Sequence, residues 1–265
     1  MSDFSKEIDI PYNKSEAIKK FIGVELTGNP ELFPSEIKLP QSVLEIASEF
    51  IENNPLQEKS ALIDYRANAE NFYARKILKG GTYSPKKDSV YSTTIWSNFI
   101  GIQSRAIDGQ PIVELHNHPD IIQAGSHYLQ GGLRMPDDFT KLVLRSPSAA
   151  DLDLYLSVEH GLVDIVVSKH GGSLIIPWEY AVRSRKPFGI VNFSEKSLTE
   201  TLQKNVEPFF MEGLRRFGEN PQSLQYFINS AYKKTLYTAY ANLLKSYSCS
   251  IYFADDIYGK FRLAK

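Results

Sequence analysis

The chain has very little cysteine: Cys249 is the single one among 265 residues. One thiol excludes an internal disulfide, and it excludes the zinc modules whose ligands are several cysteines. The chain also lacks an excess of either charge, because 30 lysines and arginines stand against 31 aspartates and glutamates. This balance does not favour nucleic acid or a membrane surface as a partner. Any metal site must therefore be built from histidines and carboxylates.

Long apolar runs are missing as well. The longest, such as GLVDIVV and GSLIIPW, are far shorter than the roughly 20 residues of a membrane-spanning helix. The first residues, MSDFSKEID, are acidic and lack the basic and apolar segments of a signal peptide. Because 42% of the residues are hydrophobic and 23% are charged, as in globular proteins, we expect a soluble, cytoplasmic protein.

Hydrophobic periodicity predicts both helices and strands. Apolar residues at helical spacing predict a helix over 41–53, and short β-branched and aromatic runs predict a hairpin over 60–65 and 72–78. Further strands are predicted at 90–102, 111–115, 163–168, 173–178, 250–253 and 260–263. A helical pattern over 198–247 is broken near 218–221 by glycine and proline. We therefore expect an α/β (α+β) fold, with a mixed β-sheet flanked by helices.

The sequence pattern divides the chain into three parts. Residues 1–40 contain scattered prolines and predict an irregular N-terminal extension with a short helix near 14–24. Residues 41–180 form the predicted core, which a long loop insertion at 120–147 interrupts, with room for one short helix. Residues 181–265 form a helical C-terminal extension that ends in short strands. Its aromatic residues are interpreted as core packing or as the face of a homodimer: Tyr226, Phe227, Tyr232, Tyr237 and Tyr240.

Two histidines stand two residues apart at the end of a predicted strand. Residues i and i+2 of a strand point to the same face, so His116 and His118 project two imidazoles within reach of one ion. Zinc takes histidine nitrogen as a ligand at about 2.0 to 2.1 Å. The alternative interpretation is a pair of surface histidines before Pro119.

A second polar pattern precedes a predicted helix. Ser148-Ala-Ala-Asp151 fits a capping box, in which Ser148 caps the helix and the acidic side chain of Asp151 reaches back. The first turn of a helix also presents its side chains to whatever lies beyond its N-terminus. Asp151 can therefore serve as a cap and as a ligand at the same time.

These residues occur in a specific order: Glu58 after a helix, then His116-Asn-His-Pro119, then Ser148-x-x-Asp151. This order resembles the JAB/MPN (JAMM) metallopeptidase superfamily. The local sequence is most similar to that of the bacterial RadC-type branch, which shares His-Asn-His-Pro and a proline before the serine. The resemblance covers roughly 41–177 and leaves both ends of the chain unexplained.

The resemblance implies a fold, a metal and a reaction. It implies that His116, His118 and Asp151 bind Zn²⁺, with a water molecule in the fourth position whose pKa is lowered toward about 7. Glu58 would accept the proton of that water as general acid/base, and Ser148 would donate a hydrogen bond to the oxyanion. The implied reaction is hydrolysis of an amide or isopeptide bond in a protein or peptide. Other branches of the superfamily imply a ubiquitin-like conjugate as the substrate.

The chain departs from the family pattern in two places. The spacer between proline and serine is usually short, whereas here residues 120–147 intervene, which is 28 positions. This insertion is interpreted either as a substrate-contacting loop or as a passive surface excursion. By alternation Glu114 faces the same side as His116, where relatives usually carry an apolar residue, so it is an additional neighbour of the site or a ligand. Glu70, in the predicted hairpin turn, is a rival to Glu58 as the base.

Three other histidines, a basic segment and another class of function are alternatives to this interpretation. His127 lies in the long insertion and is within possible reach of the metal, whereas His160 and His170 occupy ordinary helix-end and turn positions. The basic residues over 183–186 are interpreted as a solvated loop. The second hypothesis is a RadC-like non-peptidase or adaptor protein on the same fold, in DNA-associated or mobile-element biology.

Overall fold

The structure is a computed structural model, and it describes most but not all of the chain. The described residues are 14–82, 112–122, 136–148, 151–152, 155, 163–178, 200–201 and 204–265. The predicted strand at 90–102, the loop residue His127, the helix-end residue His160 and the basic residues over 183–186 lie outside them.

Helices precede and follow the strands along the chain. The helices are α1 (Lys14–Ile22), α2 (Gln41–Glu52), α3 (Asp137–Arg145), α4 (Glu207–Phe217), α5 (Pro221–Phe227) and α6 (Lys233–Lys245). The strands are β1 (Glu36–Ile37), β2 (Gln57–Arg66), β3 (Asn71–Thr82), β4 (Val113–Asn117), β5 (Val163–Ser168), β6 (Gly171–Pro177), β7 (Cys249–Ala254) and β8 (Phe261–Leu263). A 3₁₀ turn over Pro30–Leu32 and a π-helical segment over Ile228–Tyr232 complete the described elements.

The described strands form one mixed sheet in the order β1-β8-β7-β6-β5-β4-β2-β3. β4 and β5 are parallel, and the other neighbours are antiparallel. The predicted mixed sheet flanked by helices is thereby confirmed. β4, the strand that carries the histidine pair, lies inside the sheet between β5 and β2, so hydrogen bonds hold its backbone on both sides.

The sheet contains strands from each of the three predicted parts of the chain. Ile37 in β1 is paired with Phe261 in β8, so segments near the two ends of the described chain are neighbours in the sheet. β7 in turn pairs with β6 of the predicted core. The boundaries at residues 40 and 180 stay predictions of domain organisation, and the sheet itself is continuous across both.

One face of the sheet is covered by α1 and α2. In α2 the buried residues Val43, Ala47 and Phe50 recur at helical spacing, as the predicted helix over 41–53 requires. They belong to a core that includes Ile18 of α1 and Leu115 of β4, both fully buried. This face holds the odd-numbered side chains of β4 and leaves the histidines on the opposite face.

The opposite face is covered by α3 and by the C-terminal helices. Phe210, Leu244 and Phe253 are buried in its core together with Tyr155, which follows Asp151 by one helical turn. The aromatic residues of the C-terminal part pack here: Phe227, Tyr232 and Tyr240 are buried, which confirms the core-packing interpretation, whereas Tyr226 is 77% exposed.

The remaining predicted elements agree with the structure at their centres and differ at their ends. The hairpin strands are longer than predicted, and a helix, α3, occupies part of the insertion at 120–147. The predicted break near 218–221 separates α4 from α5. Among the described helices, none combines the length and the apolar character needed to cross a bilayer.

Candidate metal centre

The strand β4 places both histidines on one face of the sheet. His116 is buried and pairs with Ser60 of β2 and Val166 of β5. His118 lies just after the strand, yet its N–H still donates to the carbonyl of Val167 at 2.9 Å, which extends the strand geometry by one residue. The two imidazole rings lie 5.4 Å apart. The predicted projection from one face is confirmed.

The third residue arrives from the start of a helix. The Ser148 N–H donates to Oδ2 of Asp151 at 2.6 Å, and the Asp151 N–H donates to the Ser148 hydroxyl oxygen at 3.1 Å. This reciprocal pair is the predicted capping box. Asp151 is 8% exposed, and the cap fixes its carboxylate at the N-terminal end of the helix. Capping and orientation toward the histidines coexist in this residue.

The three side chains converge on one point. Nε2 of His116 lies 3.3 Å from Oδ1 of Asp151, and Nε2 of His118 lies 3.1 Å from Oδ2. All candidate ligand atoms are within 4.8 Å of one another. Ligand atoms around a tetrahedral zinc with bonds of about 2.0 to 2.1 Å lie about 3.3 Å apart. The distance from each histidine nitrogen to its nearer carboxylate oxygen is close to this value.

The far side of the His118 ring is held by the backbone. Nδ1 of His118 donates to the carbonyl of Leu144 at 3.1 Å, which orients the ring so that Nε2 faces Oδ2 of Asp151 at the centre. Nε2 of His116 is buried, and its contact with Oδ1 of Asp151 at 3.3 Å lacks the angles of a good hydrogen bond. A buried ring nitrogen in this condition fits a metal ligand.

Carboxylates dominate the charge around His116. Burial would lower the pKa of His116, but the charge of Asp151, followed by the charges of Asp164 and Glu58, raises it to about 10. Burial would raise the pKa of Asp151, but His116 and His118 hold it well below its usual range. Without a metal, His116 is a cation paired with Asp151. A bound cation would take the place of this proton.

This pairing makes the metal-free fold sensitive to pH. The pKa of His116 is raised above its unfolded value of 6.5, so its contribution to stability is complete below about pH 6.5 and disappears as the pH rises toward about 10. The pKa of Asp151 is lowered, so its contribution is present above its unfolded pKa of 3.8 and disappears as the pH falls through the lower folded value.

Glu58 lies at the edge of this group on β2. It is 7% exposed and stands two residues before Ser60, the partner of His116, and its charge acts on the His116 ring. The side chain of Asn117 forms hydrogen bonds with the backbone on both sides of Glu58. Its Oδ1 accepts from the Lys59 N–H at 2.7 Å, and its Nδ2 donates to the carbonyl of Gln57 at 3.0 Å. The structure thus brings the predicted base close to the predicted ligands.

Ser148, the predicted oxyanion donor, is exposed at the same place. Its hydroxyl oxygen accepts the Asp151 N–H, so its own O–H proton is left as a donor. Glu114 lies on the histidine face, buried and paired in register with Asp164, but it is not one of the grouped ligand atoms.

The rival base Glu70 and the turn histidine His170 are not among the grouped residues. Glu70 is exposed in the turn at the other end of the β2–β3 hairpin, with its nearest cation, Lys20, at 3.8 Å. Eight strand residues of about 3.3 Å each separate that turn from Glu58, roughly 25 Å. His170 interacts with Asp120 at 3.3 Å in the β5–β6 turn, as an ordinary turn residue can.

Sequence reasoning missed several contributors. Asp164 Oδ1 lies 3.9 Å from Nδ1 of His116, and the signal for it was a lone acid in the apolar run GLVDIVV. The hydrogen bonds of Asn117 to the backbone beside Glu58 had no signal in the sequence beyond its place between the two histidines. Tyr240, whose hydroxyl donates to the carbonyl of Pro147 at 2.9 Å, carried no local signal beyond helical spacing.

Comparison with known proteins finds no match for this chain among protein-family models, curated proteins or solved structures. What these residues can do chemically therefore follows from their own geometry.

Proposed function

We propose that the chain is a zinc-dependent metallopeptidase or isopeptidase whose metal ligands are His116, His118 and Asp151. The convergence of two imidazole Nε2 atoms and one carboxylate, 3.1 and 3.3 Å apart, carries this proposal. The substrate class is a protein or peptide with an amide or isopeptide bond, including ubiquitin-like conjugates.

The donor set favours zinc and a catalytic role. Two imidazole nitrogens and one carboxylate suit Zn²⁺, whereas Mg²⁺ and Ca²⁺ prefer six or more oxygens. Structural zinc sites usually have four protein ligands, and the grouped residues of the described chain number three. A three-ligand site leaves one position open, which is the arrangement of catalytic zinc.

The neighbouring residues have positions that suit hydrolysis. A bound Zn²⁺ supplies Lewis-acid chemistry that lowers the pKa of a water molecule toward about 7. Glu58 takes the proton from the attacking water and delivers it to the leaving amine. The Ser148 hydroxyl donates to the oxygen of the substrate carbonyl as negative charge develops there.

The JAB/MPN-like fold belongs to the same proposal. Its support is the order in which the structure presents the residues: Glu58 on a strand that follows α2, the histidine pair at the end of β4, and Asp151 at a helix start. Fold-level likeness alone does not assign an activity, so the metal is tested before any substrate.

A second candidate function is that of an adaptor or non-peptidase protein that holds no metal. Its specific support is that the capping box and the ion pair with His116 already satisfy the carboxylate of Asp151. In that case Asp151 and protonated His116 form a buried structural ion pair, and the proton on His116 takes the place of the metal.

Metal content separates these two candidates. The wild-type chain, purified without added zinc, is compared by mass spectrometry with the His116→Ala/His118→Ala double variant. His170→Ala is the control, because its ring contacts Asp120 and it is not one of the three grouped residues. Near-stoichiometric zinc that only the double variant loses supports the proposal. If none of the proteins holds zinc, even after incubation with it, the adaptor candidate is favoured.

Catalysis is tested once zinc is established. Glu58→Gln is expected to keep the metal and to lose hydrolysis of peptide and isopeptide substrates, because the amide cannot take a proton from water. An active Glu58→Gln enzyme would move the base to Glu114, which shares the histidine face.

A further inference from the structure

The stretch 144–148, which begins in the last turn of α3 and leads to the Asp151 helix, contacts the candidate metal centre at both of its ends. At its start, the carbonyl of Leu144 accepts the Nδ1 proton of His118 at 3.1 Å. At its end, the N–H of Ser148 donates to the carboxylate of Asp151 at 2.6 Å. Any shift of this short segment would therefore displace two of the three candidate ligands together.

The middle of this segment is held by the C-terminal helix α6. Pro147 is buried, and its carbonyl accepts the hydroxyl proton of Tyr240 at 2.9 Å. Proline has no N–H, so this carbonyl is the one backbone hydrogen-bonding group that Pro147 offers. The Tyr240 hydroxyl is thus a direct link from α6 to the segment that carries Ser148.

Tyr240 itself sits in a rigid setting. It is 5% exposed, and its ring packs edge-on against Phe253 of β7 at 6.0 Å. One turn away on either side, Leu236 and Leu244 are buried in the same core. A buried aromatic side chain in such packing has few rotamers available, so the position of its hydroxyl is well defined.

Tyr240 is also electrostatically close to the candidate ligand. Burial raises the pKa of Tyr240, and the negative charge of Asp151 is the next largest cause. The phenol is therefore neutral and keeps the proton that it donates to Pro147.

We propose that Tyr240 is a positioning residue for the metal centre: its hydrogen bond to Pro147 holds the 146–148 segment so that Asp151 meets the two histidines. The predicted C-terminal extension then contributes to metal binding without supplying a ligand. This inference rests on the proposed zinc site.

The test is the zinc affinity of the full chain carrying Tyr240→Phe, measured by competition with a chromophoric chelator. Removal of a group that orients a metal ligand typically weakens metal binding by about 10- to 100-fold, and that loss is expected here. Tyr237→Phe is the matched control, because Tyr237 lies on the same helix, stacks on the same Phe253 at 3.7 Å, and has its hydroxyl beside Arg145 instead of Pro147.

A second control separates positioning from general destabilisation. Leu244→Ala removes buried apolar contacts of α6 and leaves the Tyr240–Pro147 hydrogen bond in place, so it should lower the unfolding midpoint and keep the zinc affinity. The visible spectrum of Co²⁺-loaded protein gives an independent readout, because it reports the symmetry of the ligands. It is expected to change in Tyr240→Phe and to stay unchanged in both controls.

The outcomes distinguish this inference from the function on which it rests. If wild type binds zinc and Tyr240→Phe binds it equally well, the positioning role is wrong and the zinc site stands. An equal loss of affinity in Leu244→Ala would also overturn it, since general destabilisation would then suffice. If wild type itself binds no zinc, both proposals fail together.

Discussion

Asp151→Asn is the substitution that tests the candidate metal centre most directly. The asparagine side chain has the same shape, and its amide oxygen can still accept the Ser148 N–H that closes the capping box at 2.6 Å. What it removes is the negative charge that lies 3.3 Å from His116 and 3.1 Å from His118. The helix start is preserved while the ligand is lost.

The size of the effect follows from the number of ligands. Structural zinc sites with four ligands bind with roughly 10 to 16 kcal/mol, or about 3 kcal/mol for each ligand. Because 1.4 kcal/mol is a factor of ten, loss of one anionic ligand should weaken zinc binding about 100-fold. An amide oxygen retains a small part of this affinity as a neutral donor.

Isothermal titration with Zn²⁺ measures this affinity in the variant and in wild type. Asp64→Asn is the control: it removes the charge of an equally buried aspartate that contacts Arg75 at 3.2 Å, and its zinc affinity should not change. If Asp151→Asn bound zinc within about threefold of wild type, Asp151 would not be a zinc ligand, and the proposed position of the ion between it and the two histidines would be refuted.

Four further predictions concern pH and local structure. Since the pKa of His116 is about 10 without metal, zinc binding should release a proton, and affinity should rise about tenfold per pH unit between pH 7 and 9; a flat profile by competition titration would contradict this. In urea, metal-free protein should be less stable at pH 9.5 than at pH 6.5, and zinc-loaded protein should lose most of that difference. Asn117→Ala removes the partner of the buried Lys59 N–H and of the part-buried Gln57 carbonyl, and it should lower the free energy of unfolding by about 2 to 4 kcal/mol; a loss under about 1 kcal/mol by urea titration would mean that water replaces the amide. Gly171→Ala should also destabilise the fold, by at least about 1 to 3 kcal/mol, because φ is +117° and a Cβ there would lie 2.1 Å from the carbonyl oxygen of Ala254; a thermal midpoint equal to wild type would show that the turn rearranges.

Much of the candidate site could be predicted because its parts are local in the chain. The same-face projection of His116 and His118 depends only on the two-residue period of a strand. The contact between Ser148 and Asp151 depends only on the geometry of a helix start, and both hydrogen bonds of the predicted capping box are present. Such patterns are complete within four residues, so no tertiary information is needed.

Other parts could not be predicted because they depend on strand register and packing. Asp164 comes near His116 only because β5 lies parallel to β4 with Glu114 opposite Asp164. Register follows from hydrogen bonding between distant segments, and a shift of one residue would turn Asp164 to the other face.

The C-terminal part shows the same limit. The spacing of apolar residues predicted its helices, and glycine and proline predicted the break near residue 218. Nothing in that spacing indicated that Tyr240 would reach Pro147, since 93 residues separate them and the hydroxyl was one of several on the same helices. Its partner depends on how α6 packs against β7.

The sequence alone thus determined the mixed α/β character, the two imidazoles on one face and the capped aspartate, because short-range periodicity and capping chemistry are properties of the local chain. Tertiary structure decided which carboxylates surround His116, how Asn117 holds the backbone beside Glu58, and that a C-terminal tyrosine supports the segment before Asp151. These contacts join residues far apart in sequence, and only burial of the two apolar faces of one sheet brings them together.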